Sequence, residues 1–287
     1  MLLLDKPPGL SSNTALQKVR RLFNAAKAGH TGTLDPLATG LLPLCLGEAT
    51  KFAGELLDAD KSYRATLQLG VTTDSADAEG RVLETRPVKI EEAGLRAAVA
   101  RFQGEIRQTP PMHSALKRDG KPLYEYARQG IEIERPPRKI TIHALNIVSF
   151  AGDSAVINVD CSKGTYIRVL AEDIGKVLGC GAHLAALRRT RVARLNIAEA
   201  VSLEQLEAMS VAERDARLAP IDALLAGLAR IDLNADETAC ILHGQAVRRV
   251  GKGGDRQRIY SNEGLFIGLG ELSADGWLHP RRLIAGG

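Results

Sequence analysis

The apolar run Leu2-Leu3-Leu4 stops at Asp5-Lys6-Pro7-Pro8-Gly9, which predicts a short strand closed by a turn. Ser12 or Asn13 then caps a predicted helix in which Ala15, Leu16, Val19, Leu22 and Phe23 share one face. Leu41 to Leu46 reads as an apolar strand and Glu48 to Leu57 as a helix. Next, Tyr63, Ala65, Leu67 and Leu69 alternate with Arg64, Thr66 and Gln68, the period of a half-buried strand. The polar turn Asp74 to Gly80 is expected to return that strand as a hairpin through Arg81 to Thr85. Glu91 to Phe102 has Leu95, Val99 and Phe102 at helical spacing.

Gly104 to Gly130 breaks this rhythm. It holds Pro110, Pro111 and Pro122, the breaks Gly104, Ser114, Gly120 and Gly130, and the basic Lys117, Arg118, Lys121 and Arg128. Only Leu123 to Arg128 looks helical, so a long functional excursion from the sheet is expected. Ile140 to Phe150 and Ala155 to Cys161 form a second strand pair, and Thr165 to Leu178 an amphipathic helix. After Pro220 the composition shifts. Leu265 to Leu269, Trp277 to Ile284, their Asp275-Gly276 turn and one helix, Ala235 to Leu242, predict a small β-rich unit. The expected division is 1–225, carrying an insertion at 104–130, and 226–287.

At 287 residues, 45% hydrophobic and 25% charged, the composition is that of a soluble globular protein with room for one large domain and a small one. No apolar stretch approaches a membrane span, and Met1 to Leu4 is too short for a signal-peptide core. Cys45, Cys161, Cys180 and Cys240 form no CxxC pair. They read as reduced thiols in a cytoplasmic protein without structural zinc. The net charge of +4 says less than its distribution. Arg188, Arg189, Arg191 and Arg194 have no acid between them; Arg248, Arg249, Lys252, Arg256 and Arg258 are offset only by Asp255. With Lys18, Arg20, Arg21 and Lys27, these are three clusters of the kind phosphate neutralisation needs. Any one of them alone would more simply be a solvated face.

The most informative segment is Gly29-His30-Thr31-Gly32-Thr33-Leu34-Asp35-Pro36-Leu37-Ala38-Thr39-Gly40. Asp35 is the only acid between Asp5 and Glu48, and nearby positive charge favours its ionised form. Pro36 biases Asp35 towards extended backbone, and the glycines let a ligand approach closely. An ordered loop presenting one carboxylate to an anionic substrate is one reading; a connection whose Asp-Pro only makes a turn is the other.

This segment resembles the second motif of the pseudouridine synthases, specifically of the bacterial tRNA pseudouridine-55 synthase (TruB) family. Ser162-Lys163-Gly164-Thr165-Tyr166-Ile167-Arg168 is similar to its third motif, Lys61-Ser62-Tyr63-Arg64-Ala65 to its Lys-x-Tyr segment, and Asp5-Lys6-Pro7-Pro8-Gly9 to its first. The likeness is strong over Leu2 to Arg194 and looser in the tail, which resembles an RNA-binding PUA-type domain. It implies an α+β fold: a mixed, largely antiparallel sheet with flanking helices, plus a small β-rich C-terminal PUA-like domain.

The function so implied is isomerisation of the T-loop uridine of tRNA, position 55, to pseudouridine. Asp35 is then the nucleophile, attacking either C6 of uracil or C1′ of ribose. Arg168 pairs with Asp35, and Tyr63 stacks on the flipped uracil and is a candidate for the C5 proton, a poor base without local help. His30 fills the space left by the extruded base, Lys6 and Pro7 support the loop, and Leu187 walls the uracil pocket. Tyr166, Lys117, Arg128, Arg188 and Arg189 complete the expected substrate contacts. Gln108 to Lys117 resembles the thumb loop over the T-arm, with His113 where many members carry Tyr. No metal or organic cofactor, no guide RNA and no membrane partner is expected, and the chain is expected to act as a monomer. A guide-RNA-dependent relative and a non-catalytic RNA-binding protein are the competing readings. The thumb-like segment weighs against the first, and the pairing of Asp35 with Arg168 against the second.

Overall fold

The computed structural model describes residues 1–249 and 255–284, so Lys252 lies outside the described residues. In chain order the larger part comprises β1 (Leu2–Lys6), α1 (Ser12–Leu22), β2 (Ala28–His30), β3 (Thr39–Leu46) and a 3-10 helix, Gly47–Leu56. It continues through β4 (Lys61–Leu69), β5 (Val71–Thr73), β6 (Val82–Thr85), α2 (Glu92–Ala100) and β7 (Gly104–Gln108). Then come β8 (Lys117–Arg118), β9 (Lys121–Pro122), α3 (Leu123–Arg128), β10 (Arg138–Ala151), β11 (Ser154–Cys161), α4 (Ile167–Leu178) and β12 (Ala182–Val192).

These build the α+β architecture expected. A ten-stranded sheet runs from strand Val201–Ser202 through β1, β3, β12, β4, β11 and β10 to β7. Only its contacts of β1 with Val201–Ser202 and of β12 with β3 are parallel. One face carries α1, α2 and α4 over a core that includes Leu4, Leu16, Leu42, Leu67, Leu95, Ile157 and Ile174. On the other, Leu3, Leu41, Phe52 and Val192 pack with Leu224, Leu225 and Leu269. A five-stranded sheet made from residues after Leu228 therefore shares a core with the first.

Four expectations change in detail. The cap of α1 is Ser11, whose Oγ accepts from the Thr14 N–H at 3.0 Å. Glu48 to Leu57 is a 3-10 rather than an α-helix. The strand at Tyr63 does not return as a hairpin. Gly70, at φ +81 with no room for a Cβ beside the Arg86 carbonyl, turns the chain out, and β5 and β6 form a separate ribbon. The excursion also begins later than Gly104, because β7 pairs with β10 at the sheet edge.

β12 has no counterpart among the expected strands, yet it joins the two halves of the sheet. Its close parallel approach to β3 depends on Gly40, at φ +102, where a Cβ would stand 2.3 Å from the Arg189 carbonyl oxygen. Gly40→Ala is expected to lower stability by at least ~2 kcal/mol, combining backbone strain and a clash with main chain that cannot retreat. An unchanged thermal midpoint would show that these strands can separate without cost.

Candidate active site

Asp35 lies in the loop between β2 and β3, and buried ties hold that loop from beneath. The Lys6 amine, fully buried, donates to the carbonyls of Pro7 at 2.8 Å, Leu10 at 2.7 Å and Pro36 at 3.4 Å. Ser12, also buried, donates to the Leu34 carbonyl and accepts from the Leu34 N–H, at 2.9 and 2.8 Å. The residue read as a helix cap thus staples α1 to the residue preceding Asp35. These bonds tie Lys6 to the loop, and its burial speaks against its assignment as a substrate contact.

Arg168 reaches the loop from the first turn of α4. Tyr166 is still extended, at φ −102 and ψ 108, and its backbone N–H and carbonyl are clamped by the Gln108 side chain at 2.8 and 3.0 Å. The helix therefore starts at Ile167, and Arg168 turns inwards, its side chain only 6% exposed. Its Nε stands 3.1 Å from Asp35 Oδ2 and its Nη1 3.4 Å from Asp77 Oδ2. Nη1 also donates to the Ser75 carbonyl at 3.3 Å, and Nη2 to the His113 carbonyl at 2.7 Å. One guanidinium thus ties together the Asp35 loop, the turn between β5 and β6, and the base of the thumb-like segment.

Asp77 escaped the sequence reading, since nothing in its spacing separates it from Asp74 or Glu79 in a polar turn. Its side chain is 4% exposed against 42% for Asp35, so the inner carboxylate anchors Arg168 and the outer one faces the opening. The preceding residue, Ala76, adopts φ +61, and Ala76 and Ala78 bond to both backbone groups of Leu184 in β12.

These residues floor a cleft of about 780 Å³ lined by His30, Thr33, Asp35, Asp77, Arg128 and Arg168 among others, a size suited to a small ligand or one nucleotide. Burial pushes the Asp35 carboxyl above its ordinary value, against the pull of Arg168. The net direction is opposite to that of the cations alone. The nearby cations do favour the carboxylate, but desolvation and Asp77 outweigh them, and Arg168, Lys6 and His113 act in place of the α1 cations. Burial brings Lys6 down to about 8 and lowers His30, which Arg189 lowers further. The His30 Nδ1 is buried with no partner among the described residues. Tyr63 is raised by burial, with Arg189 pulling the other way, and Tyr166 is raised likewise. The help Tyr63 would need as a base falls short of the cost of burying it.

The other expected contacts divide. Lys117 is exposed on the ribbon of β8 and β9, and Arg128 lines the cleft with its guanidinium 5.3 Å from the Tyr124 ring centre. Leu187 is half-buried against the core, and its carbonyl accepts from Thr39 Oγ1 at 3.3 Å. Arg188 is committed to Asp5 through both Nη atoms, at 3.0 and 2.7 Å. Arg189 contradicts its assignment as a substrate contact: it is 1% exposed and lies inside the sheet.

The wider clusters are also largely spent internally. Arg191 pairs with Asp160, Arg249 with Glu237, Arg256 with Glu55 and Arg258 with Asp222. Counting cations along the chain overstates the charge free to meet phosphate. Among the described residues no group of three or more His, Cys, Asp or Glu could hold a metal ion, and no helix is long and apolar enough to cross a membrane.

The chain matches the model of the TruB family pseudouridylate synthase N-terminal domain over residues 20–167. It matches the tRNA pseudouridylate synthase B C-terminal domain over 168–226, and the pseudouridine synthase II TruB C-terminal model over 229–284. It is 57% identical to the tRNA pseudouridine synthase B of Aromatoleum aromaticum, with 99% of this chain and 92% of that one covered. It is 56% identical to its counterpart in Burkholderia mallei, with 100% and 97% covered. Among solved structures it is similar to one chain of a Cbf5-Nop10-Gar1 complex, with TM-score 0.75 and 25% identity over 98% of this chain and 84% of that one. An H/ACA RNP bound to a substrate RNA shares the fold at TM-score 0.76, with 22% identity and 99% and 84% covered.

Proposed function

This chain belongs to the TruB family of pseudouridylate synthases, isomerases whose full-length relatives act on tRNA, and from that premise we propose that it converts the T-loop uridine at position 55 with Asp35 as nucleophile. The observation that carries the proposal is the Asp35–Arg168 pair, 3.1 Å apart in an open cleft, in which Asp35 is the more exposed of the two carboxylates flanking Arg168. The reaction breaks the N1–C1′ bond and makes C5–C1′, so C5 loses a proton and N1 gains one. Nothing is oxidised, and no metal or organic cofactor is required for that balance. The carboxylate of Asp35 adds to C6 or C1′ and later leaves. Rotating the base out of its stack costs a few kcal/mol, and each base restacked on an aromatic ring returns roughly 1–3 kcal/mol.

Tyr63, 8% exposed, enters as a protonated phenol, and stacking on the uracil is the role its motif implies. His30, held neutral, is the residue proposed to fill the space left by the base. Lys117 and Lys121, two exposed cations of the thumb-like segment, would meet phosphates of the T-arm. Replacing both with Ala is expected to weaken tRNA binding uniformly and reduce the slope of log K against log salt by ~0.9 for each phosphate no longer neutralised. An unchanged slope would remove them from the interface.

The test is to incubate the purified protein with an unmodified T-arm stem-loop and map pseudouridine at single-nucleotide resolution. Product at the T-loop uridine without any second RNA supports the proposal and excludes dependence on a guide. Tight binding without product would favour an RNA-binding role or a missing guide.

A further inference from the structure

Among the described residues, Arg189 is the largest fully buried side chain. Burying a guanidinium is costly, and such groups are ordinarily paired with a carboxylate. Here none acts on it among the described residues; burial drives it towards the neutral form, and the Tyr63 phenol facing it is the side chain that draws it back. Its donors go to main chain: Nε to the Leu41 carbonyl at 2.7 Å, Nη1 to Thr33 at 3.4 Å and Nη2 to Gly32 at 3.3 Å. Leu41 belongs to β3, whereas Gly32 and Thr33 sit directly ahead of Asp35 in its loop. Tyr63 and Arg189 are register partners across β4 and β12, so the sheet itself sets their spacing.

We infer that Arg189 is a positioning residue for the isomerisation: it holds the loop carrying Asp35 through its main-chain bonds and faces the Tyr63 phenol across β4 and β12, fixing nucleophile and phenol in one rigid frame. This rests on the roles proposed above for Asp35 and Tyr63. A guanidinium only donates, so the phenol can face it only through its oxygen, with the phenol proton pointing away from Arg189. The side chain also supplies a buried positive charge without a counter-ion of its own, felt at His30, Lys61 and Lys6. Breaking the glycosidic bond leaves an electron pair on the base, and a preset cation stabilises charge that appears only then. A residue kept merely to fill space would need neither the charge nor the fork of donors.

The experiment is a double-mutant cycle read by single-turnover conversion of the stem-loop, with RNA affinity and thermal unfolding measured on each protein. Arg189→Gln is expected to slow conversion of bound RNA ~10²-fold while affinity stays within a few-fold, the signature of a misplaced reacting group. Combined with Tyr63→Phe, it should lose far less than the product of the two single losses, because both act on one frame. Multiplicative losses, or wild-type conversion by Arg189→Gln, overturn the inference. Tyr63→Phe converting at the wild-type rate would instead sink the reading of Tyr63 and take this inference with it. Should Arg189→Gln fail to fold, Arg189→Lys keeps a buried cation but has one donor centre where three are used. It is expected to fold and to convert bound RNA well below the wild-type rate, and full conversion would count against the inference.

Discussion

Asp35→Asn is expected to abolish turnover while leaving RNA affinity within a few-fold. The change removes a charge and one oxygen but keeps size and shape in a side chain that is 42% exposed, so little packing depends on it. The supports of the loop survive as well, since they run through Lys6, Ser12 and the carbonyls of Leu34 and Pro36. Arg168 keeps Asp77, Ser75 and His113 as partners and is not left bare. An amide is a far weaker nucleophile than a carboxylate and gives no comparable leaving group, so losing the covalent step should cost orders of magnitude, not a fraction. Affinity should respond differently: removing a negative charge from a cleft that also holds Asp74, Asp77 and Glu79 lowers repulsion of a polyanion. The measurement is single-turnover pseudouridine formation beside a binding isotherm. A mutant that still turns over at a comparable rate would end the assignment of Asp35.

What the sequence could show depended on how local the cause was. α1, β4, the pair β10–β11 and the helix Ala235–Leu242 follow from periodicity and turn residues within each segment, and they appear close to where expected. β12 does not announce itself. Its register shifts between Leu184 and Ala186 and again between Arg189 and Arg191, and each bulge resets the alternation on which a strand is recognised. The same shifts carry Arg189 inwards, so a residue that counts in sequence with the surface cations is the most buried of them. At the site, Asp35 and Arg168 are legible because each sits in a long motif. Asp77 is not, because its role comes from a left-handed Ala76 and from backbone bonds to β12, partners more than a hundred residues apart in sequence. Ser12 and Gln108 stay hidden for a like reason: a hydroxyl or amide that staples a distant backbone looks in sequence like any other polar residue.

Arg168→Gln is expected to reduce conversion ~10²–10³-fold, with a deficit that grows as the pH falls. In the folded protein burial raises the Asp35 carboxyl and Arg168 holds it down; removing the guanidinium lets it rise further. Because the ionised form attacks, the rate falls as pH drops through that value, and the mutant's acid limb must lie at higher pH than the wild type's. The ratio of wild-type to mutant rate should therefore be larger on the acid limb of the pH profile than on its plateau. Acid limbs that coincide in the two proteins would mean that Arg168 works by shape alone. Stability should suffer too. Asp77, 4% exposed, would lose the cation that faces it, and breaking a buried pair costs about 3–5 kcal/mol. Adding Asp77→Asn removes the stranded charge, so the double variant should regain much of the thermal midpoint. It should not regain the rate, because Asp35 still lacks its cation. Stability and rate recovering together would show that Arg168 matters to the fold and not to the chemistry.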